Sequence, residues 1–121
     1  MPEIKTLTIS ERLWGKGSLR QNKSPNARMC CLGHLGKACG VPPEVMVQAL
    51  MPNDLTAEYV RKYPAAFVCV RDDDYFGGYS NTDLAGQATK INDSRRLSKA
   101  TKKKQLRELF KSAGIKLRFV P

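Results

Sequence analysis

The stretch LRELFKSAGIKLRFV, 106–120, reads as a helix that becomes a strand at a single glycine, and no other stretch constrains the fold as tightly. After Ser98, Leu106, Leu109, Phe110 and Ala113 recur at the three- and four-residue spacing of one helix face. Gly114 then breaks the period, because glycine takes the left-handed conformation that closes a helix without steric penalty. Beyond it the side chains alternate, with Ile115, Leu117 and Phe119 on one side and Lys116 and Arg118 on the other. A half-buried strand needs a partner. IKTLTI, 4–9, is rich in β-formers and supplies it, so the expected sheet joins the two ends of the sequence.

The intervening residues divide at prolines and glycines. RLWGKGSLRQNKSPN, 12–26, is a loop, and Ser24 with Pro25 is a good helix start, which predicts a helix from 25 to 39 closed by Gly40. Prolines bound a short helix within 41–52, and Thr56 starts another that runs to Tyr63. AAFVCV, 65–70, has the length and apolar character of a strand, and 72–81 is a polar loop. Asn81 opens a helix in which Leu84, Ala85, Ala88 and Ile91 form a stripe ending near Asn92 and Asp93. The expectation is an α+β fold: a single small domain over 1–121, with about four helices packed on a small sheet that includes the N- and C-terminal strands.

With 121 residues, 41% of them hydrophobic, one core forms without crosslinks. No apolar run approaches the ~20 residues that span a bilayer. The start, MPEIKTLTISER, lacks a secretory leader's apolar block, so the expected location is the cytoplasm, where Cys30, Cys31, Cys39 and Cys69 stay thiols.

MCCLGHLGKACG, 29–40, gathers two adjacent cysteines, the sole histidine and a third cysteine. On a helix, Cys31, Leu32, Leu35, Ala38 and Cys39 share a stripe, and Gly33, Gly36 and Gly40 lie on its neighbour. Glycine inside a helix costs ~1 kcal/mol against alanine, so the cluster marks close approach by other backbone. A buried scaffold helix, its cysteines acting as small hydrophobes, is the favoured reading. Two chemical readings compete with it. Cys30 and His34 sit four residues apart, as a thiolate nucleophile and its base would, with Asn92 or Asp93 to orient the imidazole. Zinc held by Cys30 or Cys31, His34 and Cys39, with Cys69 in reserve, has a spacing unlike any common zinc module. No metal and no cofactor is expected.

ARMCCLGHLGKACGVP, then ATKINDSRRLS, then a basic helix, Gly114-Ile115 and LRFV, together resemble a group of small tailed-bacteriophage proteins that has no settled activity. The likeness spans roughly residues 14–120 and is specific in the MCCLG and IND segments. It implies a viral accessory protein working in the cytoplasm of an infected bacterial host, in host takeover or interference with antiviral defence. It carries no catalytic residues over.

Charge is unevenly distributed. Residues 1–40 hold seven basic and two acidic side chains and 41–93 hold four and eight, but 94–121 hold ten and one. That concentration favours a polyanionic partner. Lys99, Lys102, Lys103 and Lys104 crowd the first turns of the last helix, where its dipole disfavours cations by ~0.3–1 kcal/mol each. The reading is that an external anion compensates them. Arg107 and Lys111 continue from Lys103 down one face, Arg95 and Arg96 flank the entrance, and Lys16 with Trp14 adds a charge and a stacking ring. Lys116 and Arg118 extend the surface if their strand face is exposed. No helix-turn-helix, zinc-finger or RNP signature accompanies these residues, which argues against reading of base sequence. DDDYFGGYSNTD, 72–83, partly follows a calcium-loop template, but Phe76 at a ligand position favours an acidic surface loop.

Three functions follow. The first is a non-enzymatic accessory protein that binds nucleic acid, a nucleotide or a host complex. The second is a shape-driven protein–protein inhibitor, and the third is a cysteine-dependent enzyme.

Overall fold

The computed structural model describes residues 4–24, 26–47, 49, 52–67 and 84–121. In chain order these form β1 (Thr6–Ser10), α1 (Cys31–Ala38), α2 (Pro43–Met46), α3 (Ala57–Val60), α4 (Leu84–Asp93), α5 (Lys99–Ser112) and β2 (Lys116–Val120). Single 3-10 turns stand at Glu11–Leu13, Pro52–Asp54 and Ala65–Phe67. The fold is α+β. Its two strands pair in parallel, from Thr6 opposite Lys116 to Ser10 opposite Val120.

The two-residue period sets the faces of this sheet. Leu7, Ile9 and Leu117 are buried, and Thr6, Thr8, Lys116 and Arg118 are exposed. On the inner face α5 packs on β2 and α1 on β1, with α4 wedged against both helices. Leu32, Leu35, Met46, Leu106 and Ile9 fill the space between the layers. Phe67 and Phe110, both fully buried, meet at 4.8 Å between ring centroids.

Both long-range turns out of helices use the same device. Gly40 (φ 88°) and Gly114 (φ 79°) are left-handed. The following residue then donates back to the third carbonyl from the helix end, Val41 N–H to Gly36 O and Ile115 N–H to Phe110 O. Val41 and Ile115 are buried as a result, at 3% and 2% exposure, so each turn also anchors the core. These two stops, and the Leu106/Phe110 face of α5, match the sequence pattern.

Other expectations are corrected. The helix expected from 25 begins at Cys31, because residues 28–30 are held by backbone hydrogen bonds to Leu13, Gly15, Ser18 and Gln21 and Cys30 is extended. Met29 N–H donates to Leu13 O, Gly15 N–H to Met29 O, and Cys30 N–H to Ser18 O. Ser24 does not cap a helix. Its Oγ accepts from Asn26 N–H in a local turn, and its carbonyl accepts from the buried Arg20 guanidinium. In the expected strand 65–70, Ala65–Phe67 is a 3-10 turn and 68–70 lie outside the described residues. So do the acidic loop 72–83 and Asn81; α4 is described from Leu84.

Candidate functional site

Asn92 organises the end of α4. Its Oδ1 accepts from the Trp14 indole N–H at 2.6 Å and from the Cys31 backbone N–H at 3.1 Å. Its Nδ2 donates to Gly15 O and to Asp93 Oδ1, both at 2.9 Å. Asp93 Oδ1 also accepts from Gly17 N–H. One buried amide thus caps α1, which has no side-chain cap from Cys30, and ties down the loop at 14–17. The IND segment is a joint between elements. Neither Asn92 nor Asp93 orients His34.

At the start of α5 the structure corrects the expected external anion. Ser98 caps the helix through Thr101 N–H. The compensating anion is the chain's own Glu11, 2.5 Å from Lys103 Nζ and 3.4 Å from Lys99 Nζ, and these ammonium groups hold the Glu11 carboxyl below its usual range. Lys102 points inward: its Nζ donates to the carbonyl of Asn92 at 3.0 Å, which satisfies an α4 C-terminal acceptor. Burial and the nearby Lys16 push its ammonium pKa down. Trp14, Lys16, Lys99 and Lys102 do converge on a small hollow of about 260 Å³ with Asn92. Trp14, though, is spoken for by Asn92 and by Phe119, whose ring lies 4.9 Å away. Arg95, Arg96 and Lys104 are exposed and line neither this hollow nor the larger groove.

The second half of α5 differs. Arg107 and Lys111 face β2 across a groove of about 790 Å³, and Lys5, Lys116 and Arg118 line the same groove. No carboxylate lines it, and among the described residues none of these five cations is in an ion pair. The floor is Ile115, Leu117 and Phe119. Arg107 lies 5.4 Å over the Phe119 ring and Lys103 5.7 Å from it, so Trp14 and the cations occupy the aromatic surface. Phosphate or carboxylate would find charge here and no free ring. Sequence reasoning marked Arg107 and Lys111, and Lys116 and Arg118 conditionally. It missed Lys5, which only the parallel pairing of distant strands brings beside Lys116.

The cysteine–histidine helix is built against catalysis. Cys30 and Cys31 are buried, and burial pushes the Cys30 thiol up to about 11 and the Cys31 thiol well above its ordinary range. His34 Nδ1 lies 3.1 Å from the Cys30 carbonyl, an acceptor only, so Nδ1 carries the proton. Its other nitrogen, Nε2, is buried with no hydrogen-bond partner, thiol included, among the described residues. An inert thiol and an imidazole bonded to backbone do not make an activated pair. Among the described residues no group of three His, Cys, Asp or Glu is placed to hold a metal ion.

Burial lowers the His34 pKa below 6.5. The unfolded chain therefore takes up this proton first as pH falls, and stability is lost from about pH 6.5 downward. Chemical denaturation from about pH 7.5 to about 5.5 shows a declining midpoint in the wild type, and His34→Phe removes most of that slope. An equal slope in the variant contradicts the assignment. Glu11 acts in a separate, lower window, since its depressed pKa gives stability that is lost only as its carboxylate protonates.

Compared with family models, curated proteins and solved structures, the chain matches none. Among the described residues no helix is long and apolar enough to cross a membrane.

Proposed function

We propose that this is a small accessory protein of a tailed bacteriophage that acts by binding, without catalysis, and that its ligand is polyanionic. Such binding interferes with the host by blocking a host or defence complex from its polyanionic ligand, or by sequestering that ligand. One observation carries the reading: five cations converge on the groove between α5 and β2 with no carboxylate among its lining residues. At the start of α5, by contrast, Lys99 and Lys103 pair with Glu11 and Lys102 is buried against the Asn92 carbonyl. Leaving the groove cations uncompensated costs self-repulsion, which a bound anion relieves.

Lys111→Glu with Arg118→Glu tests it, because neither side chain has an ion-pair partner among the described residues whose loss would disturb the fold. Labelled oligothymidylate and labelled polyglutamate serve as probes at several salt concentrations. The wild type binds at least one of them with affinity that falls steeply with salt, and the double variant loses about tenfold or more while remaining folded, as its cooperative thermal unfolding shows. Equal binding by the double variant removes the groove from the account.

A further inference from the structure

The groove is also the free edge of β2. Lys116 N–H donates to Lys5 O, which points the backbone of Lys116, Arg118 and Val120 toward β1 in the ladder's two-residue period. Leu117 and Phe119 alternate with them, so their N–H and C=O groups point the other way, along the edge that has no neighbour among the described residues. Both residues line the groove, with Arg107 and Lys111 of α5 on its far wall.

An edge of this kind selects among anions. Phosphodiesters offer acceptors only, so they match the two N–H groups and oppose the two carbonyls. An extended peptide offers donors and acceptors in alternation and matches all four. A second copy of β2 is a poor occupant, because KLRFV against KLRFV sets cations beside cations. Acidic side chains fit the outer face of an added strand, where they lie beside Lys116 and Arg118.

We infer that the groove takes an extended acidic segment of another protein, added to β2 as a third strand. This rests on the polyanion reading of the same groove and names the class of partner. The side chains of the other face then adjoin Leu117 and Phe119, where apolar groups fit, so the segment alternates the two types.

The test uses the whole chain and three labelled probes. They are a peptide of alternating glutamate and valine, the same peptide fully N-methylated, and oligothymidylate. N-methylation keeps the charge and removes the strand's donors. The plain peptide is expected to bind about tenfold or more tightly than its N-methylated form. It should also slow amide hydrogen exchange at Leu117 and Phe119. Equal affinity for the two peptides overturns strand addition while the polyanion reading stands, and so does binding of oligothymidylate alone. Binding of none of the three overturns both.

Discussion

Asn92→Leu is expected to cost about 3–5 kcal/mol, a large share of the ~5–15 kcal/mol that holds a domain of this kind folded. The two side chains have the same branching and number of heavy atoms, so the loss is chiefly one of hydrogen bonding, with the bulkier methyl groups adding some overpacking at this buried site. Leucine leaves the Trp14 indole N–H, the Cys31 backbone N–H and the Gly15 carbonyl without the partner they have in the wild type. Each such group, buried or partly so, costs roughly 1–3 kcal/mol, reduced where water reaches it. Asn92→Asp separates the two halves of the amide: Oδ1 still accepts, but a second carboxylate now faces Asp93 where Nδ2 donated at 2.9 Å. Urea denaturation of both variants reads the outcome. A loss below about 1 kcal/mol for Asn92→Leu contradicts the role of Asn92 as a joint.

Gly33→Ala should destabilise by about 2–4 kcal/mol, opposite in sign to the ~1 kcal/mol gain alanine normally brings to a helix interior. A methyl there collides with the Leu19 carbonyl oxygen and stands 2.7 Å from its carbon and 2.9 Å from Met29 Cβ. That carbonyl cannot retreat cheaply. Leu19 is fully buried, its own N–H donates to Ala49 O at 2.6 Å, and the neighbouring Ser18 carbonyl takes the N–H of Cys30. Gly36→Ala acts more mildly through side chains. Its methyl strikes the Tyr63 hydroxyl, which donates to Leu32 O at 3.0 Å, and the ring can shift where backbone cannot. Thermal unfolding ranks the two; a stabilised Gly33→Ala refutes the close approach of the 18–20 segment to α1.

The glycine cluster of α1 was therefore legible from sequence as a close-packing signal, though not the identity of what packs there. The same division runs through the molecule. Gly40 and Gly114 stop their helices where the periodicity ends, because a left-handed turn is a local event. Alternation in 115–119 gives the exposed face of β2 for the same reason. The helix starts later than Ser24-Pro25 signals, because that local signal loses to tertiary pairing of Met29 and Cys30 with Leu13, Gly15 and Ser18. Asn92 serves α1 across 61 residues of sequence, a cap that no local pattern announces.

The basic carboxyl-terminal third shows the limit most clearly. Counting charges identified the region, but only geometry divides it. Of the four lysines at the α5 start, Lys99 and Lys103 are answered by Glu11 and Lys102 by the Asn92 carbonyl, while Lys104 stays exposed. A set of unanswered cations gathered in one groove lies farther along, where Arg107 and Lys111 meet Lys5, Lys116 and Arg118. Glu11 sits almost a hundred residues from Lys103, so its role was invisible in the sequence.

The most direct test of an anionic ligand seated between α5 and β2 is a residue-resolved amide shift map of the isotope-labelled protein titrated with polyglutamate. The predicted shifts concentrate at Arg107, Lys111 and residues 115–119. Shifts centred instead on Lys37, Arg61 or Lys90, or spread evenly over every exposed lysine and arginine, would contradict it.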